Sequence, residues 1–244
     1  AAVLGDAQRL GYAEADPTFD IGGFDTAHKL ALLTSLAFGT RIDAEAVYVE
    51  GIASITRLDL AMADELGYRI KLLGIATRTG DDIEQRVHPT MVPKSSSIAQ
   101  VMGVTNAVGL DGDAIGEMTL VGAGAGGSAT ASAVVGDIAV VARGVKMPPF
   151  GVPVALLTEP KRAAMQRHEG GYYIRLDAFD RIGTAAGIAT RMAGHGISLE
   201  SILQRRPPRR AAAEAVPVVL ITHATTEAAV RQALEAIVAD GLVA

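Results

Sequence analysis

The chain has no cysteine among its 244 residues. That rules out a disulfide, a thiolate metal site and a cysteine nucleophile, and removes any argument for an oxidising compartment. It has no surplus of positive charge either. Its 22 Lys and Arg stand against 27 Asp and Glu, a formal net charge of −5, so nucleic acid and anionic membrane surfaces are not the expected partners. No apolar run approaches the roughly 20 residues that span a bilayer, and the first residues lack the basic flank of a secretory signal. These absences leave small-molecule ligands and a cytoplasmic setting as the expectation. No methionine opens the chain, and residues 1–10 already have the apolar spacing of an amphipathic helix, so the sequence is expected to begin inside a domain. With 49% hydrophobic and 20% charged residues it has enough apolar material for two compact units.

Along residues 26–38 the apolar positions Leu30, Leu33, Ala37 and Phe38 recur at three- and four-residue steps, which predicts a helix with one buried face and Asp25 at its first turn. Residues 46–52 read as a short strand, 58–66 as a helix stopped at Gly67, and 68–78 as a strand closed by the turn Thr79-Gly80-Asp81-Asp82. A strand over 87–92, a helical turn over 98–101 and strands over 106–110 and 117–121 should follow. A glycine-rich stretch then opens a long helix over 128–142. Prolines 148, 149, 153 and 160 and a charged run over 159–169 mark a boundary. The expected layout is therefore a first domain over 1–147, a linker over 148–169 and a second domain over 170–244. The second reads strand 172–179, helix 183–195, strand 198–204, a basic turn 205–210, strand 217–222 and helix 227–239. That β-α-β-β-α order is one strand short of a ferredoxin-like sheet, so the sequence is expected to stop before the domain is complete.

The densest polar cluster lies near the start. Residues 14–29 gather Glu14, Asp16, Asp20, Asp25 and Lys29 around Gly22, Gly23 and Pro17. Asp25 and Lys29 are four residues apart, one turn of helix, and so share a face where both can act on one small ligand. The same spacing also suits an N-cap and a solvated ion pair, and spacing alone leaves both readings open. Lys29 runs straight into the apolar Leu30-Ala-Leu-Leu33, which suggests a partly desolvated amine able to serve as a proton donor.

The run Gly11-Tyr-Ala-Glu-Ala-Asp-Pro-Thr18, continuing through Asp20 and Asp25-Thr-Ala-His-Lys29, with Leu32-Leu-Thr-Ser-Leu-Ala-Phe-Gly39 behind it, closely resembles the signature of homoserine dehydrogenases. The resemblance implies an α+β catalytic domain built on a mixed sheet covered by helices. It implies reversible hydride transfer between NADPH or NADH and L-aspartate 4-semialdehyde, giving L-homoserine for threonine, methionine and isoleucine synthesis. It also implies roles: Lys29 as proton donor to the carbonyl oxygen, Asp25 holding substrate and orienting Lys29, Glu14 binding the substrate ammonium, and Asp20 supporting that pocket.

Gly122-Ala-Gly-Ala-Gly-Gly127 follows a strand and precedes a helix, the layout of an anion- or cofactor-contacting loop and equally of a plain tight turn. It lacks the spacing and the distant acid of a primary dinucleotide fingerprint. It does resemble the motif that closes the catalytic domain in the same family, with Ala129 where a proline is common, and this implies cofactor contacts at Gly126 and at Gly11. No metal site is expected, because His88 has no second histidine or carboxylate at ligand spacing. It reads as structural. His28, His168, His195 and His223 are scattered, and the arginines of 205–210 read as a solvated turn.

The second domain, with Ala178-Phe-Asp-Arg-Ile-Gly183, Ile197-Ser-Leu-Glu-Ser-Ile-Leu-Gln204 and Val218-Val-Leu-Ile-Thr-His223, resembles an ACT domain. Ile182 stands where that pattern has proline. The resemblance implies a regulatory module for which threonine is the natural effector, or one that only dimerises. An N-terminal Rossmann domain, which the family places ahead of the catalytic domain, is not in this sequence, so the isolated chain is expected to bind dinucleotide weakly. The competing expectations are a non-catalytic amino-acid-binding module and an oligomerisation piece, since sheet edges in both domains could pair in a homo-oligomer.

Overall fold

The computed structural model describes residues 16, 18–163, 168–204 and 215–244. The basic turn expected over 205–210, the helix over 1–10 and the positions Gly11 and Glu14 lie outside them. The chain divides after Arg162 into two compact units.

In the first unit a short helix α1 (Thr18–Ile21) leads into α2 (Phe24–Phe38), which starts two residues before the helix that periodicity predicts and ends at the same residue. The face of α2 made by Ala27, Leu30, Ala31, Thr34 and Ser35 is buried, the i, i+3, i+4, i+7, i+8 stripe of an amphipathic helix. It packs on a hairpin of two twelve-residue strands, β2 (Tyr68–Thr79) and β3 (Asp82–Pro93), antiparallel and in register from Tyr68 opposite Pro93 to Thr79 opposite Asp82. The reversal is a two-residue turn in which Gly80 takes φ 60° at the first central position, as a II′ hairpin turn requires. Over the first half of β3 the alternation is strict, with Ile83, Gln85 and Val87 buried. Ala27, Leu30 and Ala31 close over Val47 and Val87, with Val49, Leu72 and Ala76 at the margin. Leu30 is nearly fully buried, so truncating it to alanine would cost on the order of 2–5 kcal/mol.

The strand expected over 46–52 is shorter: a 3-10 turn occupies Ala44–Ala46 and only Tyr48–Val49 (β1) pairs, in parallel, with Arg86 and Val87 of β3. The Asp43 carboxylate accepts from the Ala46 N–H and so fixes the turn in place of extended chain. Between β1 and β2 in sequence comes α3 (Arg57–Glu65), opened by a reciprocal capping box between Thr56 and Asp59. After a one-turn helix α4 (Ser97–Gln100), strands β4 (Thr105–Gly112) and β5 (Gly116–Ala123) make a separate hairpin, and α5 (Gly127–Ala142) follows.

Part of the proline-marked segment beyond α5, within the stretch expected as a linker, makes contacts with the first unit. Thr158 bridges to Thr40, β6 (Lys161–Arg162) pairs in parallel with Asp82 and Ile83, and Arg162 makes a two-pronged ion pair with Asp43 at 2.7 Å.

The second unit carries β7 (Glu169–Gly170), β8 (Tyr173–Phe179), α6 (Thr184–Gly194), β9 (Leu199–Gln204), β10 (Ala215–Thr222), β11 (Thr225–Thr226) and α7 (Glu227–Ala239). Its sheet has the antiparallel order β8-β10-β9. Ile174, Ala178, Val218 and Leu220 of the strands meet Ile188 and Met192 of α6 and Val230, Ala233 and Ile237 of α7 in one core. The edge beyond β8, where the sequence pattern leaves a strand wanting, is taken by the last residues. Val243 bridges Ala178, the Phe179 N–H donates to Leu242 O at 3.0 Å, and the Ala244 N–H donates to Asp177 O at 2.8 Å. Among the described residues no helix is long and apolar enough to cross a membrane.

Candidate functional site

The N-terminus of α2 is placed by backbone against backbone. The Ile52 N–H donates to Ile21 O at 3.0 Å. A β-carbon at Gly51 would lie 2.8 Å from Gly22 Cα, and one at Gly22 would lie 2.6 Å from Thr18 O, closer than nonbonded atoms pack. Gly23 adds a conformational reason: it caps α2 with φ 84°, and a β-carbon there would sit 3.0 Å from Val87 Cγ1. Side-chain rings finish the join, with Phe19 of α1 edge-on to His28 of α2 at 5.4 Å between centroids. Asp16 accepts from the Thr18 N–H at 3.0 Å, and hydrogen bonding to Thr18 holds its carboxyl below the ordinary carboxylate value.

On the helix so placed, Lys29 Nζ donates to Asp25 Oδ2 at 2.7 Å. The two functional groups that i,i+4 spacing predicts to share a face do meet. The expected desolvation of Lys29 is not found, for its side chain is 56% and that of Asp25 43% exposed. Leu30 and Ala31 are adjacent in sequence, but each step along a helix turns about 100°, and their side chains enter the core while the ammonium stays in solvent. Asp20 is half-buried on α1. The pair is thus open to a ligand on one side and fixed by a rigid helix on the other, which suits a cationic proton donor beside an acceptor.

Gly126 caps α5 with φ 104° and ψ 149°, a backbone conformation essentially reserved for glycine. A β-carbon there would meet nothing within 4 Å, so its outer face is free for a ligand to reach the main chain and the N–H groups that open a 16-residue helix. Among the described residues no hydrogen bond or ion pair joins this loop to Asp25 or Lys29. No group of three His, Asp or Glu among those residues is arranged to hold a metal ion. His88, read as structural, has its Nδ1 3.0 Å from Pro89 O.

One neighbour of the loop escaped the sequence reading. Asn106 stands opposite Gly122 in the β4–β5 register, and its carboxamide fills the space that a β-carbon on Gly124 would need. The signal was an amide residue paired across a hairpin with the first glycine of the run, which only the strand register reveals.

In the second unit Gly183 caps α6 with φ 91° and open space around it, and Ile182 beside it is fully exposed.

The family model for homoserine dehydrogenase matches residues 1–139, and the ACT domain model matches residues 172–239. A homoserine dehydrogenase from Neisseria gonorrhoeae is 44% identical over 243 residues, 97% of this chain and 55% of the relative. One from Pseudomonas aeruginosa is 43% identical, over 96% of this chain and 55% of the relative. The crystal structure of a homoserine dehydrogenase from Thiobacillus denitrificans matches with TM-score 0.88 and 45% identity, over all of this chain and 56% of that one. The Staphylococcus aureus enzyme matches with TM-score 0.72 and 27% identity. The chain thus spans about half the length of the curated relatives it matches.

Proposed function

The chain belongs to the homoserine dehydrogenase family, and on that premise we propose that it supplies the substrate-handling and regulatory parts of an enzyme that interconverts L-homoserine and L-aspartate 4-semialdehyde. The observation that carries this reading is the 2.7 Å pair of Lys29 and Asp25 on a helix fixed by glycine contacts. As the aldehyde is reduced, negative charge gathers on its carbonyl oxygen. The Lys29 ammonium stabilises that charge and hands over a proton; in the reverse direction its amine takes the hydroxyl proton. Asp25 holds the ammonium at a defined place on the helix face and accepts from the substrate. Glu14 pairs with the substrate ammonium and Asp20 supports that pocket, which gives an amino acid a cationic and an anionic handle.

The nicotinamide dinucleotide would supply the hydride for aldehyde reduction in its reduced form, NADPH or NADH, and would accept it in its oxidised form, NADP or NAD, in the reverse direction. Gly126 fits a cofactor contact, since its open face and the helix start behind it allow close main-chain approach; Gly11 is the second contact. In the ACT-like unit, threonine is the effector we assign, reached through the open turn at Gly183. On this reading the enzyme serves threonine, methionine and isoleucine synthesis in the cytoplasm, works as a homo-oligomer, and is feedback-regulated.

The test is Lys29→Ala in the complete polypeptide carrying these residues, assayed by homoserine-dependent reduction of NADP. Turnover should fall by about 10²–10⁴, the range for a lost acid–base group, with circular dichroism unchanged. Undiminished turnover would overturn the assignment, and homoserine binding with no turnover in the wild type would make the chain a non-catalytic amino-acid-binding module.

A further inference from the structure

The glycines of residues 122–127 are not equivalent. Gly126 is required by conformation, with φ 104°. Gly124 has no positive φ, so no left-handed backbone calls for glycine there. What excludes a side chain there is Asn106, whose Nδ2, Cγ and Cβ crowd the position a β-carbon would occupy. Asn106 lies diagonally across the hairpin, opposite Gly122 and two residues from the Gly124 level, within the reach of diagonal cross-strand neighbours. The residue is exposed, and among the described residues its carboxamide makes no hydrogen bond. Its place is therefore set by shape against the Gly124 main chain, and the loop in turn is braced on that side just before it turns at Gly126 into α5.

We propose that Asn106 is a positioning residue for the cofactor-contacting loop, setting the path of residues 124–126 by packing its branched side chain on Gly124. The proposal rests on the assignment of Gly126 to dinucleotide contact. It concerns shape, not the amide chemistry of Asn106.

The experiment is a double-mutant cycle of Asn106→Ala and Gly124→Ala in the complete polypeptide, read by melting temperature, by fluorescence titration of NADPH and by steady-state kinetics. Asn106→Ala should raise the cofactor KM and dissociation constant about tenfold while the homoserine KM stays within about twofold, the split expected when one binding surface loses its brace. Asn106→Leu keeps the branched outline without the amide and should return the cofactor KM to within about threefold of wild type. Gly124→Ala should lower the melting temperature, and less so in the Asn106→Ala background, since coupled neighbours are not additive. Unchanged cofactor affinity in Asn106→Ala, equal changes in both KM values, a failed leucine variant, or strict additivity of the melting shifts would each overturn it. If instead the wild type neither turns over homoserine nor binds NADPH, the enzyme reading has failed, and the melting cycle alone decides whether Asn106 braces the loop.

Discussion

In α7 the apolar residues Val230, Ala233 and Ile237 recur at three- and four-residue steps and all three are buried. In α5 the residues Val134, Val135, Ile138 and Val141 make a broad apolar face, yet no residue of that helix is buried and Val141 is 74% exposed. Both helices begin where the sequence says they should, but for different reasons. Thr226 caps α7 by accepting from the Ala229 N–H, and the sheet of its own unit then holds it; α5 starts at a glycine turn and finds no packing surface among the described residues. The difference teaches that periodicity locates a helix without saying whether its neighbours are at hand. Apolar exposure on this scale is unusual for a free protein surface.

Three measurements test the contrast. Ile237→Ala should destabilise the second unit by about 2–5 kcal/mol in urea unfolding, as for a fully buried large-to-small change. Ile138→Ala in the same chain should stay within about 0.5 kcal/mol, as for a surface site; a cost matching that of Ile237→Ala would mean that α5 is covered in solution and would break the comparison. The smallest effect belongs to the ion pair in which Arg191 of α6 meets Asp240, just past α7, through two contacts at 2.6 and 2.7 Å. The hydrogen bond from Arg191 lowers the Asp240 carboxyl below its ordinary value of 3.8. Its stabilisation is present above that value and lost as pH falls through the lower folded one. Asp240→Asn should therefore lower the melting temperature slightly at pH 7 and not at all in strong acid.

The same contrast explains what could be read from residues alone. Helix α7 was legible to the residue because cap, stripe and length agree. So was the meeting of Asp25 and Lys29, which helix geometry alone dictates. The surroundings of Lys29 were not, because adjacency along a helix is not adjacency in space. Nor was the attachment of residues 158–162, since the partners Thr40, Asp43 and Asp82 lie far away in sequence and proline spacing carries no trace of them. Asn106 was invisible for a like reason: a residue that matters by volume gives no motif.

The contact of Gly22 with Gly51 behaves like a datum surface in a machined part. Main-chain atoms have the same radii in every protein, so a helix located against them inherits its place from dimensions that sequence drift cannot alter. Side-chain contacts such as Phe19 on His28 refine that placement, whereas one added methyl at either glycine would shift the part that everything else is measured from.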